Sequence, residues 1–287
     1  MERSNGRGYT ALSVVWRAMG RFDGKIALVT GSTQGVGEAV ARRLSVAGAD
    51  GIVVCGRNHE RGAAVAGALA GAGTASLFVP VELGDPDSCQ ELVAATDARF
   101  GRIDVLVNAA ALTLRGSIAD TSIELWDMMM NVNVRAPFLL MQGAISIMRR
   151  EGSGGTIVNV GSVASHGGPP ILMPYSVSKA ALATMTKNVA YSVAWDGIRV
   201  NCINPGWMDT PGEDVIQRRF HTNGEDWLED AEAGMPSGQL IKTNEVAAAI
   251  AFLASSESGI MTGSVIDYDQ SVVGAGSSPV PRREETP

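Results

Sequence analysis

The stretch KIALVTGSTQGVGEAVARRLSVAGA, from Lys25 to Ala49, decides the fold. It opens as a short apolar run rich in β-formers, passes through the loop GSTQGVG, and continues with apolar residues at helical spacing. A strand, a glycine turn and a helix in this order form the context a nucleotide-binding loop needs. Gly31, Gly35 and Gly37 let the backbone turn tightly and approach a pyrophosphate, while the helix N-terminus offers unpaired N–H groups and a positive dipole end. The spacing T-G-x-x-x-G-x-G is not G-x-G-x-x-G, and the absence of a following Gly-Lys-Ser/Thr excludes a P-loop. An ordinary glycine turn is the alternative reading of the loop by itself.

A second apolar run, GIVVCGRN from Gly51 to Asn58, follows at the distance of one βα unit. Residues just beyond such a strand meet the adenosine ribose of a dinucleotide, where an acid binds the 2′-hydroxyl and an arginine accommodates a 2′-phosphate. Gly56 and Arg57 stand there, and Asp50 is at the wrong end of the strand. The expected cofactor is therefore NADP(H), with NAD(H) the other candidate. The alternation continues with strands at 76–81, 103–107, 157–161, 198–203 and 264–267, and helices at 59–71, 86–99, 121–149 and 174–195. This pattern predicts an α/β fold: a doubly wound parallel sheet of about seven strands with helices on both faces. One domain is expected over 21–275. Between Trp207 and Ser237 the pattern weakens, and charges, Gly, Pro and the aromatics Phe220 and Trp227 are interleaved; a substrate lid over 207–237 is expected there.

A chain of 287 residues with 45% hydrophobic residues can bury a large core. The net charge of −7 without a basic cluster excludes nucleic acid as an expected partner. No apolar run approaches the ~18 residues that span a bilayer, so no membrane association is expected. Cys55, Cys89 and Cys202 lack disulfide or metal spacing, which points to a reducing, cytoplasmic setting. Residues 1–20 carry Arg3, Arg7 and Arg17 and faintly resemble a transit peptide; Met19 is read as the natural start, with a disordered extension before the domain. Residues 276–287 are Pro-rich and polar, and are read as a disordered tail.

The chemistry is concentrated in GTIVNVGSVASHGGPPILMPYSVSKAAL, from Gly155 to Leu182. On a helix, Tyr175 and Lys179 share one face, which sets an ammonium beside a phenol. Such a charge is expected to lower the tyrosine pKa and make it a usable proton donor and acceptor, with Ser162 holding the reacting oxygen. The plainer alternative is a partly buried tyrosine beside a solvated lysine. His166 lies four residues after Ser162, but the serine lacks a G-x-S-x-G elbow and no acid is placed to orient the histidine, so a hydrolase is not expected. Met128, Met129 and Met130 are consecutive and cannot share a helix face, which assigns them to core and subunit packing. Asp267 and Asp269 lack further oxygen ligands, so no metal is expected.

Taken together, these motifs resemble the classical short-chain dehydrogenase/reductase family, from about Gly20 to Gly274. TGSTQGVG at 30–37 looks like its cofactor loop, including Ser32, Gln34 and Val36. Asn108, Ala109 and Ala110 fall at its Asn-Asn-Ala-Gly segment, and Trp126 to Asn133 is similar to its asparagine-bearing helix. Pro205, Gly206 and Thr210 fit its Pro-Gly-x-x-x-Thr segment near the nicotinamide. The resemblance implies a Rossmann-like fold and an oxidoreductase interconverting a secondary alcohol and a ketone. It makes Tyr175 the general acid or base, Lys179 its partner and ribose ligand, Ser162 the substrate-oxygen ligand, and Asn133 the holder of a relay water. It also implies a homotetramer packed through the helices bearing Asn133 and Tyr175.

Three departures stand out. Ala109 and Ala111 replace Asn and Gly, which is expected to shift the backbone beside the nicotinamide. Glu82 and Leu83 stand at the adenine-contacting position, and Gln34 occupies a site often basic in NADPH-preferring members. The substrate is expected to be a small molecule met by Ser162, His166, Tyr175, Trp207 and Met208, and a sugar or polyol is favoured. The alternatives are a 3-oxoacyl carrier-protein reductase, which Arg135, Arg149 and Arg150 would serve as a docking patch, and a non-catalytic cofactor-binding scaffold.

Overall fold

The central strand β1 (Ile26–Val29) is four consecutive apolar residues whose side chains alternate between two cores. Ala27 and Val29 enter one and Leu28 the other. The same division recurs in β2 (Gly51–Gly56), where Ile52 and Val54 oppose Val53 and Cys55, and in β4 (Val105–Asn108), where Val105 and Val107 oppose Leu106. Strands buried on both faces read as continuous apolar runs, which is why they are conspicuous in the sequence. Each fully buried Leu or Ile in such a strand contributes about 1.5–3 kcal/mol.

The computed structural model describes residues 22–220 and 226–274; the extension expected at 1–20 and the tail expected at 276–287 lie outside the described residues. One face of the sheet is covered by α1 (Gly35–Val46), α2 (His59–Gly71) and α9 (Thr243–Ala254). The other is covered by α3 (Pro86–Phe100), α5 (Ala136–Glu151) and the C-terminal end of α6 (Met173–Ser192). With β3 (Ala75–Pro80), β5 (Gly155–Val160), β6 (Ile198–Pro205) and β9 (Val265–Tyr268), the main sheet has seven strands in the order β3-β2-β1-β4-β5-β6-β9. Every pairing is parallel. The expected single seven-stranded doubly wound sheet is therefore present. The strand order reverses direction between β1 and β4, where such sheets open a crevice at their carboxyl ends.

Two departures from the expected pattern shape that crevice. The helix expected at 121–149 is α4 (Ile123–Met130) joined to α5 by a π-helical turn, Asn131–Arg135. Pro137 has no N–H to give the backbone ladder just where its register shifts from π to α. The weakly patterned segment holds α7 (Pro211–Phe220) and α8 (Trp227–Ala233). It is clasped at its base by a two-residue parallel pair, β7 (Met208–Asp209) with β8 (Ile241–Lys242). Among the described residues no helix is long and apolar enough to cross a membrane.

Candidate active site

A continuous cleft of about 2020 Å³ runs along the carboxyl ends of the strands. Single ligand pockets typically occupy ~300–1,000 Å³, so this one has room for a dinucleotide and a small substrate together. At one end lie Gly31, Gln34, Gly35, Val36 and Gly37. Gly31 has φ +64°, and a Cβ on Gly37 would sit 2.5 Å from the Gly31 carbonyl oxygen, so both positions require glycine. Nearby, Arg57 lies 4.0 Å from Glu82, and Arg61 on the first turn of α2 donates to the Gln34 side chain. The two guanidinium groups of Arg57 and Arg61 thus flank one corner of the cleft.

At the centre, the end of β5 carries Ser162 and the first turns of α6 carry Tyr175 and Lys179. The Ser162 hydroxyl lies close enough to the Tyr175 phenol to favour its ionised form. Lys179 is buried, its Nζ 2.7 Å from the Val160 carbonyl and 5.7 Å from the centre of the Tyr175 ring. Asn133 is buried in the π turn and does not line the cleft. Its Oδ1 accepts from the Leu112 N–H at 2.8 Å, and its Nδ2 donates to the Leu112 carbonyl at 2.9 Å and to Ser178 Oγ at 3.0 Å. Ser178 Oγ in turn donates to the Tyr175 carbonyl, 2.7 Å. The asparagine side chain therefore ties the loop after β4 to the turn that holds the phenol. The side-chain amide is committed to these protein partners.

The electrostatics correct one expectation. Burial pushes the Tyr175 phenol up, to about 12, and the Glu213 carboxylate adds to this against the Ser162 hydrogen bond and the Arg115 charge. Burial likewise pulls Lys179 down, to about 8. The helical spacing sets the two side chains on one face, but removal from water disfavours both charged forms, and the ammonium is turned to Val160. In this state the lysine does not lower the phenol.

The model of the family described as Enoyl-(Acyl carrier protein) reductase matches residues 31–271. The chain is 37% identical to a 3beta-hydroxysteroid dehydrogenase of Mediterraneibacter gnavus, over 88% of this chain and 95% of that protein. It is 35% identical to the Bos taurus Dehydrogenase/reductase SDR family member 4, over 85% of this chain and 86% of that one. The chain belongs to the classical short-chain dehydrogenases/reductases. Like its relatives, this short-chain dehydrogenase/reductase is an NAD(P)-dependent oxidoreductase interconverting alcohols and ketones. Among solved structures, L-sorbose reductase from Gluconobacter frateurii, complexed with NADPH and L-sorbose, matches with a TM-score of 0.81 and 30% identity, over 88% of this chain and 97% of that one.

Most residues singled out in the sequence line the cleft of this dehydrogenase/reductase: Glu82, Leu83, Ala109, Ala110, Ser162, His166, Tyr175, Lys179, Gly206, Trp207, Met208 and Thr210 join the loop glycines. Ser32, Asn108 and Pro205 do not. Ser32 is buried as a brace, donating to the Val29 carbonyl and accepting from the Cys55 N–H. Asn108 is buried against Asn159, and Pro205 closes strand β6. No described residue other than glycine has a positive φ, so Ala109 and Ala111 sit without strain, and the Ala109 and Ala110 N–H groups donate to Thr30 Oγ1. Met129 is buried while Met128 is exposed, as their consecutive positions require.

His166 does have an orienting acid: its Nε2 is 2.9 Å from Asp267 Oδ1, which also accepts from Asn204. Asn204 accepts from the Ser162 N–H, so a polar chain crosses β6 and β9 and ends at the histidine on the rim. The Ser162 hydroxyl itself faces the Ala164 N–H and the Tyr175 phenol, which leaves no serine–histidine pair for hydrolysis. Arg61, Arg115 and Gln217 also line the cleft and escaped the sequence reading.

Proposed function

We propose that the chain prefers NADP(H) and acts on small hydroxylated ketones and the corresponding secondary alcohols, sugars or polyols among them. The observation that carries this reading is a cleft with two arginines at its adenosine corner, a Ser162–Tyr175 pair at its centre, and polar side chains around its far end. The loop glycines admit a pyrophosphate, and Arg57 with Arg61 would hold a 2′-phosphate. When bound, the nicotinamide supplies the hydride acceptor and donor. Ser162 fixes the substrate oxygen by its hydroxyl, and Tyr175 gives that oxygen a proton in reduction or takes it in oxidation. A phenol near 12 holds its proton at neutral pH and is ready as the acid. Lys179 carries its charge below about 8 and would hold the nicotinamide ribose. Asn133 keeps the phenol-bearing turn in place. The 207–237 segment acts as a lid over the substrate.

The sorbose reductase match supports the sugar class, and charge speaks against an acidic carrier. Arg149 pairs with Asp196 and Arg150 with Asp97 and Glu151, while Arg135 donates to the Gly84 carbonyl, so the three arginines form no free docking patch. Exposed Met128, Phe138 and Val177 on α4, α5 and α6 suit a homotetramer interface, and three buried free thiols suit a reducing, cytoplasmic setting.

Fluorescence titration of NADPH and NADH onto the wild-type protein and an Arg57→Ala/Arg61→Ala variant tests the cofactor half. The variant is expected to lose about 10- to 100-fold in NADPH affinity with little change for NADH. Equal losses for both cofactors would reject the two arginines as phosphate ligands. Tyr175→Phe is expected to bind NADPH normally and to turn over at least ~100-fold more slowly; undiminished turnover would reject the acid–base assignment.

A further inference from the structure

Beyond Tyr175 the cleft is closed by an ion pair joining two distant parts of the chain. Arg115 comes from the loop after β4 and Glu213 from the first turn of α7. Their charged atoms are 3.3 Å apart, their side chains 13% and 15% exposed, and both line the cleft near enough for their charges to bear on the Tyr175 phenol. Glu213 Oε1 is saturated, accepting from Arg115 at 3.3 Å, from Trp207 Nε1 at 3.0 Å and from Gln217 Nε2 at 2.6 Å. No donor reaches Oε2 from the described residues. Arg115 Nη1 is bonded to the Thr113 carbonyl at 3.1 Å, while its Nε is buried with no partner.

A buried N–H without an acceptor is costly, and native structures seldom leave one unless a ligand or water completes it. Here the orphan donor belongs to the same guanidinium whose Nη2 pairs with Glu213 Oε1, and the other oxygen of that carboxylate has spare acceptor capacity. A substrate carboxylate would have to displace Glu213 from three donors and would meet its negative charge. An apolar group would bury the donor and the acceptor without compensation. A hydroxyl donates and accepts at once, and satisfies both.

We propose that Arg115 and Glu213 are specificity-determining residues that read a hydroxyl group on the carbon next to the reacting carbonyl. The hydroxyl donates to Glu213 Oε2 and accepts from the Arg115 guanidinium after a small swing of that side chain. The pair thereby selects α-hydroxy ketones and their vicinal diols. This deepens the functional reading above and rests on it, since it takes Ser162 and Tyr175 as the ligands of the reacting oxygen. Because Glu213 stands on the lid helix and Arg115 on the body, the same contact holds the lid over a substrate that carries the hydroxyl.

The test is NADPH-dependent reduction of a matched pair, 2-hydroxycyclohexanone and cyclohexanone, by wild type, Glu213→Gln and Arg115→Lys. In wild type, kcat/KM is expected to favour the hydroxy ketone by at least about 100-fold, because a site built for a hydroxyl rejects the analogue lacking it. In each variant that preference is expected to fall by about 10-fold or more. A purely structural role in lid packing would lower both substrates together and leave the ratio unchanged, which overturns the proposal. So does a wild-type enzyme that reduces both ketones equally, although the oxidoreductase reading then stands. Quenching of NADPH fluorescence by 1,2-cyclohexanediol but not cyclohexanol in the holoenzyme is a second readout, independent of turnover. Equal quenching by the two alcohols rejects hydroxyl reading, whereas failure of NADPH itself to bind rejects the NADP(H) preference proposed above, and the same comparison is then run with NADH.

Discussion

Replacing Lys179 by methionine removes a buried ammonium while keeping an unbranched chain, and stability and activity are expected to move in opposite directions. The residue is 2% exposed, and burial pulls its amine from the ordinary lysine value of 10.5 to about 8. Below about pH 8 the folded protein therefore carries a charge that its surroundings disfavour, while the unfolded chain holds the same proton more tightly. The distance between the two values amounts to roughly 3 kcal/mol against folding at neutral pH. As pH rises past about 8 the folded amine gives up its proton, so wild-type stability gains from this group; the penalty is roughly 1 kcal/mol near pH 10 and vanishes above the unfolded value. Against this stands the 2.7 Å bond from Nζ to the Val160 carbonyl, whose loss costs about 1–2 kcal/mol. Lys179→Met is expected to exceed wild type by about 1–2 kcal/mol at neutral pH and to lose about 2 kcal/mol of that relative stability near pH 10. Urea denaturation of both cofactor-free proteins at the two pH values measures it. Ionisations common to the two proteins, such as the buried thiols, largely cancel in the difference. A stability difference that does not change with pH refutes the reasoning. Turnover is expected to drop at least ~100-fold in the same variant, as is common where an active site holds a strained charge.

Two further perturbations follow from the geometry. Gly37→Ala places a Cβ 2.5 Å from the Gly31 carbonyl oxygen and 2.9 Å from that of Thr30, so the cofactor loop must move; NADPH affinity in a fluorescence titration is expected to fall at least ~100-fold, with about 1–3 kcal/mol lost in stability. Asn133→Ala strips the Leu112 N–H and carbonyl of their partners and releases Ser178, which is expected to cost about 2–4 kcal/mol in urea denaturation and to lower kcat more than it weakens NADPH binding; unchanged stability would show that the clamp is not needed.

What was legible in the sequence was local. The Lys25–Ala49 unit announces itself because a doubly buried strand, its glycine turn and an amphipathic helix are contiguous, and the motif order carries the rest of the sheet. Tyr175 and Lys179 are four residues apart, so one helix brings them together whatever the tertiary structure. The sign of their ionisation shifts was not legible, because burial depends on the whole cleft and here outweighs the pairing. Distance along the chain hid the rest. Arg115 and Glu213 lie 98 residues apart, and His166 and Asp267 lie 101 apart, and nothing in their own neighbourhoods marks them as partners. Ser32 and Asn108 sit inside recognisable motifs while their side chains are bonded within the protein that holds the motif in shape.

The clasp formed by β7 and β8 makes one wall of the cleft an exchangeable cassette. The chain leaves the sheet after β6 and comes back at β8 beside its point of departure, while β6 and β9 pair directly with each other. The main sheet is therefore complete without the excursion, and the excursion can be lengthened, shortened or transplanted at the clasp without changing the register of any main-sheet strand. A chain built this way lets one wall of the cleft vary while Ser162, Tyr175 and Lys179, held after β5 and on α6, stay in place.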